Sequence, residues 1–289
     1  MNTSAPEGAR SGRLAASRVK ERLAEIISRR LEQDEARLQQ AFSSRSPGIP
    51  TRFAVVDDAL PADMAAEIHR AFPAAGIMRH LKSFREHKYT LKQLDKVPPI
   101  LEDLTFAIQS APVLAAVERI TGIREQRPDP SLYAGGLSMM LKGDFLNPHI
   151  DNSHDAERRY YRTLNLLYYV TPDWKEEYGG NLELWNEDVT RRLTIPSLFN
   201  RLVLMETNPT SWHSVSPVAA AAARCCVSNY YFAGRSPTGA EYFNVTSFSA
   251  RPEQPVRRAF ARTDNLARSA LRLLFRRGLG RTDVYTPKR

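Results

Sequence analysis

From about residue 131 the chain consists of short β-type runs set apart by turn signals, and this texture limits its fold more than any other feature. The runs are "LSMML" (137–141), "TLNLLYYV" (163–170), "NLELW" (181–185), "RLVLME" (201–206) and "CCVSNYYFAG" (225–234), with "KGD", "YGGN" and "TNPTS" among the intervening segments. Branched and aromatic residues suit a pleated, half-buried surface, and Gly, Pro, Asn and Asp supply the tight connections. Several such runs at short spacing predict an antiparallel sandwich or barrel. The upstream part reads differently. Residues 13–42 contain no Gly or Pro, and Leu14, Val19, Leu23, Ile26, Ile27, Leu31, Leu38 and Phe42 form a loose apolar stripe, which predicts one helix. "SSRSPGIP" ends it, "RFAVVDDAL" predicts a strand, and "PADMAAEIHRAF" predicts a helix starting near Pro61. A charged stretch, 79–96, precedes a second helical region at about 99–121. Helices first and strands later predict an α+β chain, with helices packed on one side of a double-sheet β core.

Three regions follow: a helical N-terminal extension (1–45), a central domain (46–250) and a basic C-terminal helix and tail (251–289). In the last of these, Phe260, Leu266, Ala270, Leu271 and Leu274 make an apolar stripe. The net charge of +9 is uneven, because residues 251–289 hold 11 Lys/Arg against 3 Asp/Glu and residues 1–45 hold 9 against 6, leaving 46–250 at −2. The basic ends therefore say little about what the central domain binds, and no specific nucleic-acid partner is expected. A solvated helix face is the preferred reading of both basic ends, and contact with an anionic membrane surface, nucleic acid or an acidic partner is the alternative; for the apolar stripe of 251–289, docking onto the core or a second subunit is preferred to peripheral membrane contact. No apolar run approaches the roughly 18 residues of a membrane span, and the N-terminal segment lacks the apolar core of a secretory signal, so a cytoplasmic location is expected. The two cysteines, Cys225 and Cys226, are adjacent, which does not indicate a disulfide framework. The sequence leaves the oligomeric state open.

The chemistry gathers around "NPHIDNSHD", residues 147–155. His149 and Asp151 stand two apart, so at a strand end both side chains share one face. A mononuclear non-haem iron(II) site uses two histidines and one carboxylate. His213, in "TSWHSVSPV", lies 64 residues after His149 at the end of another β-type run and offers the third ligand. Arg224 follows eleven residues later and opens a strand. An arginine reaching into an apolar sandwich needs an anionic partner, and a dicarboxylate held by a two-pronged hydrogen bond would be one. Taken alone, the His-x-Asp pair is compatible with a polar surface loop; its combination with the distal histidine and arginine is far more specific.

That order resembles the Fe(II)/2-oxoglutarate-dependent oxygenases, and within them the prolyl-4-hydroxylase-like branch. The resemblance covers about 50–235 and rests on "NPHIDN", "RTLNLLYYV", "YGGNLELW", "RLVLMETNPTSWHSVSPV" and "RCCVSNYYF". It implies a double-stranded β-helix (jelly-roll) core, with His149, Asp151 and His213 as iron ligands and Arg224 as the anchor for the 2-oxoglutarate C5-carboxylate. It also implies Fe(II), 2-oxoglutarate and O₂ as the reactive set, ascorbate as a candidate reductant, and hydroxylation of an unactivated C–H bond with succinate and CO₂ as co-products. Relatives that halogenate lack the acidic ligand; Asp151 fills that position here, which favours hydroxylation. The chain departs from the branch at Met140, where a cofactor-contacting tyrosine is common, and at Asn165, where a threonine is common. Asn165 and Tyr169, which share a strand face, are the candidates for the second cofactor contact. The substrate is expected to be peptidyl (prolyl) or a small, glycan-like molecule, met by segments 79–96, 152–161 and 171–179. His154 is read as a loop residue near the substrate mouth and Arg162 as a structural residue able to pair with an acid near the pocket. The competing readings are a jelly-roll binding protein without catalysis, a cupin-type dioxygenase, and a membrane-surface oxygenase acting on a lipid-linked substrate.

Overall fold

The computed structural model describes residues 7–255 and 284–286. The predicted basic helix falls beyond residue 255 and lies outside the described residues. Among the described residues five α-helices precede most of the sheet: α1 (Glu7–Gln33), α2 (Glu35–Ser43), α3 (Ala62–Arg70), α4 (Pro99–Ile108) and α5 (Ala111–Thr121). Twelve strands are present among the described residues: β1 (Phe53–Val56), β2 (Arg79–Lys82), β3 (Glu86–Leu91), β4 (Gly136–Met140), β5 (Phe145–Ile150), β6 (Tyr161–Tyr169), β7 (Leu182–Trp185), β8 (Arg192–Ile195), β9 (Arg201–Glu206), β10 (His213–Val215), β11 (Arg224–Ala233) and β12 (Ser247–Phe248).

The strands run in the order β1-β9-β6-β11-β4-β3-β5-β10-β7-β8, with β2 on β3 and β12 on β5. β3 is the hinge of this ribbon: Tyr89–Leu91 pair with β4, and Glu86 and His87 pair with β5. The ribbon thereby curls into two facing halves, β1-β9-β6-β11-β4 and β5-β10-β7-β8, in mainly antiparallel jelly-roll fashion. The charged stretch 79–96 thus supplies the strand that joins the halves. Its sequence hid this because "EHKYTL" carries few of the apolar residues that mark a strand, and five of its six positions are only half-buried.

The near-continuous apolar character of β6 follows from burial on both faces. Leu164, Leu166 and Tyr168 point outward into the helix-packed core with Leu202, Leu204, Val227 and Tyr231, while Leu167 and Tyr169 point inward with Val203, Met205, Leu182 and Leu184. Strand alternation sends Cys225 to the outer cluster and Cys226 to the inner one, and both thiols are free. The outer core is completed by Leu23, Ile27 and Leu31 of α1, Leu38 and Phe42 of α2, and the apolar faces of α4 and α5. Each such fully buried aliphatic side chain contributes roughly 1.5–3 kcal/mol, so the N-terminal helices belong energetically to the wall that backs β6, β9 and β11.

Both predicted long helices are divided. α1 and α2 meet at Asp34, whose carboxylate holds Arg30 at 3.0 Å and Arg37 at 2.5 Å. α4 ends before Gln109 and α5 restarts with Pro112 in its first turn, since proline has no N–H to continue a helix and restricts the residue before it. Gln109 Nε2 donates instead to Asn229 Oδ1 of β11 at 2.7 Å. Among the described residues no single helix is long and apolar enough to cross a membrane; α4 and α5 pass such a test together, but with a 43° bend between them, and Leu101, Leu104, Ile108, Val113, Val117 and Ile120 of the pair are buried in the core.

Candidate metal centre

His149 lies near the end of β5 and His213 opens β10, and the two are direct cross-strand partners. Residues directly opposite in an antiparallel pair bring their Cβ atoms within about 5 Å, so a single rung of the ladder closes the long sequence gap between them. Their rings lie 4.1 Å apart, centroid to centroid. Asp151, just past the end of β5, completes the group: its Oδ1 is 3.7 Å from His149 Nε2 and its Oδ2 is 3.7 Å from His213 Nε2. One ligand atom from each of the three residues lies within 4.8 Å of the others, and all three residues are buried.

The backbone sets which ring nitrogens face inward. His149 Nδ1–H donates to the Asn147 carbonyl at 3.0 Å, and His213 Nδ1–H donates to the Ser211 carbonyl at 2.9 Å. A carbonyl only accepts, so each Nδ1 carries the hydrogen and each Nε2 presents a lone pair to the centre. Burial, reinforced by the neighbouring His213, lowers the His149 pKa to about 3, keeping the imidazole neutral as a metal ligand requires. Burial opposes the charge on Asp151, yet the Arg162 guanidinium beside it brings its pKa down to about 2. Arg162, only 2% exposed, reaches Asp151 Oδ1 with Nη1 at 3.3 Å and lies over the Tyr230 ring at 4.2 Å. Asp151 Oδ2 is buried and accepts no hydrogen bond. Two imidazole Nε2 atoms and an ionised carboxylate with an unused buried oxygen form a facial N,N,O donor set, which suits a mononuclear non-haem iron(II) ion.

The triad opens into a cavity of about 330 Å³ whose wall also includes Arg162, Asn165 and Arg224. Arg224 is 3% exposed, stacks over the Tyr169 ring at 4.7 Å, and has no carboxylate partner among the described residues. Its Nε donates to the Gly180 carbonyl at 3.0 Å and its Nη1 reaches Met140 Sδ at 3.8 Å. Gly180 holds a φ of +64°, and a Cβ there would meet Arg224 Cγ at 3.2 Å, so the Gly-Gly turn is shaped to let the arginine stem pass. A buried guanidinium lacking an anion is the feature that a dicarboxylate co-substrate would satisfy.

The two candidates for a second contact occupy different positions. Asn165 lines the cavity; its Nδ2 donates to the Tyr230 hydroxyl at 3.1 Å and its Oδ1 is buried without a partner. Tyr169 stands behind Arg224, and its buried hydroxyl makes no well-formed hydrogen bond. Met140, where the resembled branch often has tyrosine, is the cross-strand partner of Arg224. His154 lies away from the triad in a small recess with Tyr133, Arg158 and Phe243, where it hydrogen-bonds Ser153 and packs at a tilt against the Tyr161 ring. His69, His80 and His87 join no metal-capable group among the described residues. The sequence drew no attention to Phe248, Asn244 or Tyr230 in a site role. Phe248 stacks on the His149 ring at 5.3 Å, Asn244 donates to the Asp151 carbonyl at 2.7 Å, and Tyr230 lies under Arg162. Only tertiary packing brings them there.

Comparison with known proteins agrees with this geometry. Residues 135–232 match the 2OG-Fe(II) oxygenase superfamily model. A segment of 87 residues is 34% identical to mouse (Mus musculus) prolyl 3-hydroxylase OGFOD1, covering 27% of this chain and 15% of that protein, so the chain spans only a small part of this relative's length. A Pseudomonas putida prolyl-4-hydroxylase structure superposes with a TM-score of 0.50 at 16% identity, over 68% of this chain and 98% of that one, which supports the shared fold. A prolyl 4-hydroxylase structure from Phytophthora capsici gives a TM-score of 0.49 at 20% identity, over 89% of this chain and 78% of that one. Over residues 135–232 the chain thus matches the 2OG-Fe(II) oxygenase superfamily, and its jelly-roll fold is shared with the Pseudomonas putida prolyl-4-hydroxylase structure.

Proposed function

We propose that this protein is an Fe(II)/2-oxoglutarate-dependent dioxygenase that hydroxylates an unactivated C–H bond of a peptidyl or small-molecule substrate. The observation that carries the reading is the His149–His213 rung with Asp151 beside it, sharing one cavity with the buried, anion-free Arg224. In this reading His149, Asp151 and His213 hold the iron through two Nε2 atoms and a carboxylate oxygen. Arg224 anchors the far carboxylate of 2-oxoglutarate, and Asn165 or Tyr169 provides the neighbouring polar contact. When bound, iron with 2-oxoglutarate and O₂ supplies the oxidising power that converts C–H to C–OH, releasing succinate and CO₂.

The chain's own groups prepare the site. The Asn147 and Ser211 carbonyls fix the ring tautomers. Arg162 holds the Asp151 carboxylate ionised and in place. Leu167, Leu182 and Cys226 of the inner apolar cluster form part of the cavity wall, and a wall of low polarity strengthens the charge interactions beside it. Asp151 occupies the position that a halide would need, so hydroxylation is the favoured outcome. The relatives named above are prolyl hydroxylases, which makes a prolyl peptide the first substrate to test.

The test is succinate release by anaerobically purified, iron-loaded protein over a panel of prolyl peptides and small molecules, alongside melting with Mn(II) and 2-oxoglutarate. Metal- and 2-oxoglutarate-dependent stabilisation together with substrate-stimulated succinate supports the proposal. Loss of both leaves a jelly-roll binding protein as the reading.

A further inference from the structure

Asp151 lies past the last residue of β5, where the main ladder no longer holds it, and the segment that follows β11 compensates. β5 pairs with β10 along one edge; on the other, β3 covers Phe145 and Leu146, and β12 takes over at His149 and Ile150. Phe248 is the direct partner of His149, and its ring stacks on that imidazole at 5.3 Å and 19°. Asn244 Nδ2 donates to the Asp151 carbonyl at 2.7 Å, while the Asn244 backbone exchanges hydrogen bonds with Ser153 at 3.0 and 3.1 Å. Ser249 N–H donates to the Pro148 carbonyl at 2.7 Å. The far end of the segment reaches the other ligand strand: Arg251 Nη2 donates to the buried Glu183 carboxylate at 2.6 Å and to the Val215 carbonyl at 3.2 Å. Glu183 in turn accepts from the hydroxyl of Ser214, next to His213, at 2.6 Å.

We infer that residues 244–251 form a strap that positions the metal ligands, with Asn244 and Phe248 as positioning residues for Asp151 and His149 and Arg251 as the anchor to the His213 strand. The inference rests on the metal-site reading above. The segment lies outside the stretch that matches the superfamily, 135–232. A ligand set must be held to within about 0.5 Å to bind metal well. Here one ligand is off the end of its strand and another has one ring face left to the strap. Groups that orient ligands from outside the donor set typically change metal affinity by about 10–100-fold.

The experiment is Mn(II) titration of the full-length protein, read by electron paramagnetic resonance, with melting of the metal-free protein in parallel. Asn244→Ala and Phe248→Leu are expected to weaken Mn(II) binding by about 10–100-fold while metal-free melting stays near wild type, and Phe248→Tyr, which keeps the stacked ring, is expected to restore affinity. Wild-type Mn(II) affinity in both variants overturns the strap. So does a loss of affinity that follows an equal loss of metal-free stability, or one that Phe248→Tyr fails to restore, because either shows general packing in place of ligand positioning. A wild-type protein that binds no Mn(II) removes the metal-site reading itself, and the two failures are separated by that arm.

Discussion

Replacing Arg224 with methionine separates the cofactor role of this residue from any structural one. Methionine has a similar reach and meets Met140 and the Tyr169 ring, already neighbours of the guanidinium. The Gly180 carbonyl loses the Arg224 Nε donor but keeps the Ser197 hydroxyl at 2.7 Å, so no buried acceptor is orphaned. The variant gives up a cation–π contact of about 0.5–2 kcal/mol. It also removes a buried cation that has no carboxylate partner among the described residues, a burden of several kcal/mol. Metal-free stability is therefore expected to match or exceed wild type. Binding of 2-oxoglutarate is expected to collapse, because two charge-assisted bonds at about 1.5–3 kcal/mol each amount to about 3–6 kcal/mol. At roughly 1.4 kcal/mol per decade this is about a 10²- to 10⁴-fold rise in Kd. The assay is melting with Mn(II) present and 2-oxoglutarate varied. At 100 Kd the wild type should gain about 2.7 kcal/mol, and Arg224→Met should show no gain at the same concentration. A variant that retains wild-type 2-oxoglutarate stabilisation, or one that is several kcal/mol less stable without ligand, would refute the reasoning and make Arg224 a structural residue.

Asp151→Ala should abolish metal-dependent succinate formation and also lower metal-free stability by about 3–5 kcal/mol, because Arg162 loses its buried partner; unchanged denaturant midpoints would show that the pair carries no such weight. Gly180→Ala should destabilise the fold by at least about 1 kcal/mol through its positive φ and raise the 2-oxoglutarate requirement by crowding Arg224, measured by melting and by apparent KM. Asp103, buried in α4 beside Glu102, has its pKa raised to about 6 by burial first and Glu102 second. Its folded value exceeds its unfolded one, so the ionised carboxylate opposes folding above about pH 6, and that cost disappears as pH falls to about 4. At about 1.36 kcal/mol per pKa unit, Asp103→Asn should stabilise the protein by about 2–3 kcal/mol at pH 8 and have little effect at pH 4. Equal stabilisation at both pH values would contradict this.

β4, β6, β7, β9 and β11 were readable because their cues are local. "RLVLME" coincides with β9 and "CCVSNYYFAG" with β11 to within a residue at each end, since branched and aromatic runs between Gly, Asn and Pro turns have few other conformations to adopt. The helix stripe Leu23, Ile27, Leu31, Leu38, Phe42 is buried as its spacing suggests, while Val19 remains 41% exposed. The hairpin β2–β3 was not legible, because a strand paired on both edges yet half-exposed needs no apolar alternation. The strap 244–251 escaped for a related reason: its two-residue strand gains its meaning only from the β5 edge it covers.

The sequence by itself determined the donor chemistry at positions 149, 151, 213 and 224, the alternation that aims inner and outer faces, and the turns that separate the strands, because each depends on neighbours within a few residues. Tertiary structure alone decided that His213 stands opposite His149, that Arg162 rather than a nearer cation steadies Asp151, and that Phe248 closes the imidazole face. These are matters of register between distant strands, and register is set by which faces the whole fold can bury together.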